Sequence, residues 1–179
     1  MTIFLFGTSN VGKTTTGEEL AEQLGFVFYD LDEEVKKYYA TTLEQFVRTG
    51  TLFERDKKRG RVINRIMKNS SNKVIAITPI YYSSNFNRYI TREDVLSIEL
   101  QDLPENIFQR LVFSDENDVI YKDDDYKNLH INHYISEIEM DQTYYKKSFS
   151  KIKNKFHINN DPIKIVVKRI IIEYNLLNI

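Results

Sequence analysis

The chain has 179 residues, 41% hydrophobic and 28% charged, with a net charge of −1; this is globular composition without the overall charge that draws a protein to nucleic acid or anionic membrane. It has no cysteine, which excludes disulfides, thiolate metal sites and a thiol nucleophile. The longest apolar runs, such as Ile3 to Phe6 and Ile170 to Ile172, fall far short of the roughly 18 residues of a membrane span, and Met1 leads into Thr2 and Ile3 without the basic start of a signal peptide. A cytoplasmic chain with neither membrane nor nucleic-acid partners is expected.

Short apolar runs alternate with segments of helical spacing, the pattern of parallel strands joined by crossover helices, over what reads as a single domain, 1–179. Ile3 to Phe6 forms the first strand. A glycine-bearing loop follows, then a helix from about Lys13 with Leu20, Ala21 and Leu24 on one face and Gly25 as its stop. Phe26 to Tyr29 is the second strand, ending in Asp30-Leu31-Asp32. Thr42 can cap a short helix through Val47, and a longer helix follows Gly50, carrying Leu52, Val62, Ile63 and Ile66, with Gly60 weakening its middle. Val74 to Ile77 and Val95 to Leu100 are the third and fourth strands, and Pro104 suits the first turn of a helix bearing Ile107 and Phe108. Residues 114 to 128, rich in acids, read as a mobile surface loop. A long helix over about 128–151 comes next, then a fifth strand at 155–158. Asp161-Pro162 opens a last helix in which Ile163, Val166, Val167 and Ile170 repeat at threes and fours. The fold class is α/β, a three-layer α/β/α sandwich with a five-stranded parallel sheet.

Gly7-Thr8-Ser9-Asn10-Val11-Gly12-Lys13-Thr14 matches G-x-x-x-x-G-K-[ST] at every fixed position, between a buried strand and a helix start. In such a loop the glycines let successive backbone N–H groups point at a phosphate, the lysine neutralises β/γ oxygens and the hydroxyl ligates Mg²⁺. The expected ligands are therefore ATP, held by Gly7 to Thr15, and Mg²⁺ at Thr14. Asp30 and Asp32 stand two apart at the carboxyl end of a strand, where α/β sheets bind ligands. One carboxylate can hold magnesium while the other takes a bond from an acceptor hydroxyl; the competing reading is a solvated turn in which Asp32 caps a helix.

Gly7 to Thr16, the Gly17-Glu18-Glu19-Leu20-Ala21 helix, Phe28-Tyr29-Asp30-Leu31-Asp32 and the Phe46…Gly50…Phe53-Glu54-Arg55 stretch together resemble the shikimate kinases. The resemblance implies a P-loop kinase fold with a substrate-binding helical region at about 31–60 and a lid at about 112–126. By position it implies that Lys13 and Asp32 are catalytic, that Thr14 and Asp30 serve the metal, that Asp32 and Arg55 bind the acceptor, and that Arg110 lies against adenine. Arg55 also stands among Asp56, Lys57, Lys58, Arg59 and Arg61, so a solvated charged helix face is an equal reading.

Three departures fall on the acceptor and lid side. Where the family has three glycines after its third strand, this chain reads Thr78-Pro79-Ile80. Asp141 occupies the place of a second carboxylate-binding arginine. Residues 112 to 128 hold six acids and no arginine, leaving Lys122 and Lys127 as the only cations. A neutral or cationic small molecule with a hydroxyl suits such a pocket better than shikimate. The expected activity is transfer of the ATP γ-phosphate to that hydroxyl; a nucleotide-binding protein without turnover and a nucleoside or nucleotide kinase are the alternatives. His130 and His133 read as surface residues rather than metal ligands, and the lysines from 146 to 155 as a solvated face.

Overall fold

The first strand is buried on both faces, and its alternation divides the core. In the computed structural model, which describes residues 1–178, β1 (Thr2–Phe6) sends Ile3 and Leu5 to one side of the sheet and Phe4 and Phe6 to the other, all four fully buried. Ile3 and Leu5 join Leu20 and Ala21 of α1 (Lys13–Leu24) and Val166, Val167 and Ile170 of α9 (Ile163–Glu173). Phe4 and Phe6 join Val62, Ile63 and Ile66 of α4 (Leu52–Ile66) together with Phe86, Tyr89 and Phe149. Two cores back to back on one sheet make the three layers.

The sheet is five-stranded and parallel, in the order β2 (Val27–Asp30), β3 (Lys73–Ala76), β1, β4 (Val95–Gln101), β7 (Asn154–His157). Because β1 lies between β3 and β4, the chain leaves its carboxyl end at a switch point, where the phosphate loop begins. Thr42 caps α3 (Leu43–Val47) and Thr51 caps α4, each closing a reciprocal capping box with the residue three further on, Gln45 and Glu54. Gly60 does not interrupt α4: a Cβ there would stand 2.8 Å from Asn85 Oδ1, so the glycine serves close packing of the helix on the 83–90 segment.

The segment after β2 forms α2 (Leu31–Tyr39), inside the helical region expected at about 31–60. Two other expectations are corrected. The 114–128 stretch is not a featureless loop: β5 (Phe113–Ser114) and β6 (Ile120–Tyr121) form an antiparallel hairpin, followed by α7 (Asp124–Leu129). The expected long helix over 128–151 breaks at His130, and α8 runs only from Ile131 to Lys146. The remaining helices are α5 (Asn87–Ile90) and α6 (Pro104–Gln109). Among the described residues no helix is long and apolar enough to cross a membrane.

Candidate active site

Backbone conformation builds the phosphate loop. Gly7 has φ +141°, and a Cβ on it would lie 2.6 Å from the Leu100 carbonyl oxygen, so only glycine lets β1 turn so close to β4. Asn10 and Gly12 take left-handed φ values of 58° and 106°, and Gly12 caps α1 with no side-chain hydrogen bond and no acid in the first turn. The leading N–H groups of α1, at Lys13, Thr14 and Thr15, therefore face outward without a protein cap, which is the condition for receiving an anion. Thr8 and Val11 are buried beneath the loop and Ser9 is exposed at its crest. Lys13 Nζ donates to the Thr8 carbonyl at 2.7 Å. Burial pushes the Lys13 ammonium down to about 8, against the opposing pull of Asp32 and then Asp30. A desolvated cation inside a cradle of unpaired N–H groups fits a nucleotide phosphate.

Thr14 Oγ1 donates to Asp30 Oδ2 at 2.6 Å, so a hydroxyl and a carboxylate oxygen meet where a small hard cation takes oxygen ligands. The other Asp30 oxygen accepts from the N–H groups of Asp32 at 2.9 Å and Glu33 at 3.4 Å. Asp30, not Asp32, is thus the N-cap of α2, which corrects the competing reading of that turn.

Asp32 is thereby left for other work. Its Oδ1 is buried and has no hydrogen-bond partner. Burial pushes its carboxyl up; the Thr78 side chain and Arg59 oppose this, Asp30 adds to it, and Lys13 opposes it more weakly. The Arg59 guanidinium is nearly buried, 5.2 Å from the Phe46 ring centroid, and pairs with the fully buried Asp56 at 3.3 Å while its Nε finds no partner. Asp56 also accepts from the backbone N–H groups of Tyr81 at 3.0 Å and Tyr82 at 3.1 Å, fixing the turn that follows Thr78-Pro79-Ile80.

Arg55 turns elsewhere: its guanidinium donates to the carbonyls of Gly50 at 2.8 Å and Thr49 at 3.3 Å. The cation brought beside Asp32 is Arg59, one helical turn further along α4. Sequence reasoning passed over it as one basic residue among several; the usable signal was an acid and an arginine three apart on a helix. Arg110 lies behind the phosphate loop, donating to Asp102 at 2.6 Å, Asn160 at 3.2 Å and the Asn10 carbonyl at 3.4 Å.

In the β5–β6 hairpin, Asp118 at the tip accepts from the Leu43 N–H at 2.8 Å and faces Lys36 Nζ at 3.5 Å, fastening the hairpin to the α2–α3 corner. Lys127 is buried, paired with Asp124 at 3.2 Å and 5.4 Å from the Phe108 ring centroid, and Lys122 is exposed. Asp141 on α8 retains contact with water, yet the surrounding protein pushes its carboxyl up and Glu137 adds to the rise. His133 meets Glu137 at 3.5 Å, and no cluster of potential metal ligands occurs among the described residues.

A phosphate loop at a sheet switch point, a hydroxyl–carboxylate pair beside it and an aspartate with one buried, unpartnered oxygen in the field of its lysine define a P-loop kinase of the kind that phosphorylates small molecules. The family model described as shikimate kinase matches residues 9–173, and the chain belongs to the shikimate kinase family. Among curated relatives, the shikimate kinase of Persephonella marina is 31% identical over 121 residues, 67% of this chain and 73% of that protein. The shikimate kinase structure from Bacteroides thetaiotaomicron superposes with a TM-score of 0.75 at 21% identity, covering 98% of both chains. A gluconokinase structure from Sinorhizobium meliloti reaches 0.67 at 12% identity, over 98% of this chain and 92% of that one, a likeness of fold alone. The chain is an ATP-dependent small-molecule kinase, a phosphotransferase with an alcohol acceptor.

Proposed function

We propose that Asp32 holds the acceptor hydroxyl beside the phosphate loop and receives its proton as the γ-phosphoryl group is transferred. The observation that supports this is the buried Asp32 Oδ1, which has no partner and lies within the fields of Lys13 and Arg59. A buried acceptor atom left unpaired costs about 1–3 kcal/mol, and an incoming hydroxyl donor removes that cost. Elevation of its carboxyl by burial also suits a group that must take up a proton.

The step balances simply. The bond between the γ-phosphorus and the β,γ-bridging oxygen breaks, a bond from the acceptor oxygen to that phosphorus forms, and the hydroxyl proton passes to Asp32. Lys13 and the leading N–H groups of α1 bind the β/γ oxygens, and Thr14 with Asp30 would hold Mg²⁺, which when bound neutralises charge on the phosphates. Arg110, on the far side of the loop, would flank the base.

Shikimate, the acceptor of the named relatives, fits this pocket poorly. Arg55 turns one guanidinium nitrogen to the backbone carbonyls of Gly50 and Thr49, Arg59 is matched by Asp56, and Asp141 is an acid. The test is ADP release from Mg·ATP across a panel of hydroxylated small molecules, comparing wild type with Asp32→Asn. The variant is expected to lose roughly a hundredfold or more in turnover while keeping its ATP-induced thermal stabilisation. Equal loss of both would remove Asp32 from the acceptor side.

A further inference from the structure

The acceptor side has a wall that the transfer step itself does not use. Tyr81 stacks on Tyr144 of α8, centroids 4.7 Å apart at 28°, and Tyr144 meets Tyr145 edge-on at 5.1 Å. Tyr82 meets Phe53 of α4 edge-on at 5.1 Å. Phe53, Tyr82 and Tyr144 remain 51%, 37% and 47% exposed, so their ring surfaces are open to a ligand rather than consumed in the core. The wall adjoins Asp32 through two links already described: Asp56 holds the backbone of Tyr81 and Tyr82, and Asp56 pairs with the Arg59 that acts on Asp32.

Charge on this side is one-sided. Among the described residues neither Asp32 nor Asp141 forms an ion pair, whereas Arg59 is matched by Asp56. Asp141 lies three and four residues before Tyr144 and Tyr145, on the same helix face. Burial pushes the Tyr145 hydroxyl up to about 12; Asp141 and then Asp56 add to the rise and Arg59 opposes it, so both carboxylates lie within electrostatic reach of that ring. A carboxylate-bearing acceptor would meet repulsion here. An ammonium would meet aromatic faces, which attract cations, and the Asp141 carboxylate, which has no ion-pair partner among the described residues.

We propose that the acceptor is a small amino alcohol whose hydroxyl sits on Asp32 and whose ammonium lies between Asp141 and the Tyr81–Tyr144–Tyr145 wall. This rests on the Asp32-centred transfer above, and the bond changes are those already given, with the amine a spectator. The buried, unpaired Asp32 Oδ1 supports it independently of the acids on α8, since it marks where a ligand donor is missing.

The test uses three matched probes on one ring: 3-aminocyclohexanol, cyclohexane-1,3-diol and 3-hydroxycyclohexanecarboxylate. Binding is read by calorimetry with Mg²⁺ and a non-hydrolysable ATP analogue, and turnover by ADP release. The aminoalcohol is expected to bind and turn over with a KM at least about tenfold below the diol, and the hydroxy acid to be weakest. Asp141→Arg should reverse the order of the amine and the acid, with ATP-induced thermal stabilisation unchanged, and Tyr144→Leu should raise the KM for the amine alone. Preference for the diol or the acid, an order unmoved by Asp141→Arg, or no binding of any probe overturns the proposal. The kinase reading fails separately, if ATP stabilises neither the wild type nor the Asp141 variant.

Discussion

The donor and acceptor halves of this site are built by different means. The phosphate loop is one contiguous run in which backbone angles, two glycines and a single lysine do the work, and its lysine is held within the run, by the Thr8 carbonyl. The proposed acceptor half is assembled from α2, α4, the 78–82 turn and α8, held by contacts such as Asp56 to Tyr81 that join residues 25 apart. A contiguous device is preserved or lost as a unit, whereas a composite one can change its chemistry one segment at a time. That is the pattern here, with an intact loop and an altered wall.

The largest effect should come from breaking the donor half. Lys13→Ala removes the buried cation from the loop and is expected to lower turnover at least roughly a thousandfold with any acceptor, measured as ADP release. Next, Asp56→Ala strikes the acceptor half by stranding the Arg59 guanidinium and the N–H groups of Tyr81 and Tyr82. Breaking such a buried pair costs about 3–5 kcal/mol, read as lost stability in denaturant, while ATP still stabilises what remains folded. If ATP protection vanished as well, the two halves would not be separable.

A third prediction uses pH. Lys13 titrates near 8 in the unliganded protein, against an ordinary value of 10.5, because burial penalises its charge. Phosphate favours the charged form, so ATP-induced stabilisation should be full below pH 8 and fall as the pH rises through it. The unliganded protein shows the opposite slope from this group: between 8 and 10.5 the unfolded chain binds the proton that the folded chain has lost, so folding gains stability as pH rises. A Lys13→Met variant should lack both slopes. The smallest effect concerns the β5–β6 hairpin: Asp118→Ala removes the acceptor of the Leu43 N–H and should cost about 1 kcal/mol of local stability, seen as faster hydrogen exchange at the α2–α3 corner with ATP binding unaffected.

What was legible in the sequence follows the same division. Strand periodicity, the cap at Thr42, the helix after Gly50 and the stop at Gly25 are local signals, and the structure places those elements within a few residues of expectation. The 114–128 segment was misread because its acids look like solvated loop composition. Instead, the Asp115 carboxylate accepts from the N–H groups of Asn117 at 2.8 Å and Val119 at 2.9 Å and closes the hairpin turn, while Asp118 leaves it to fasten another element. Its three-residue spacing from Asp56 was the one local hint that set Arg59 apart from Arg55 and Arg61, and such pairs are common on solvated helix faces. What separates them is burial against Phe46 and pairing with Asp56, both of which depend on how α4 seats on the sheet.

One carboxylate described above belongs to both halves at once. Asp30 gives one oxygen to Thr14 and the other to the first N–H groups of α2, the helix that carries Asp32. Anything that draws the first oxygen toward the loop shifts the second, and with it the start of α2. Any coupling between the two ligand sites through Asp30 is reciprocal: whatever factor Mg·ATP contributes to acceptor affinity, the acceptor returns to Mg·ATP. A linkage of that kind would rest on the two oxygens of a single side chain.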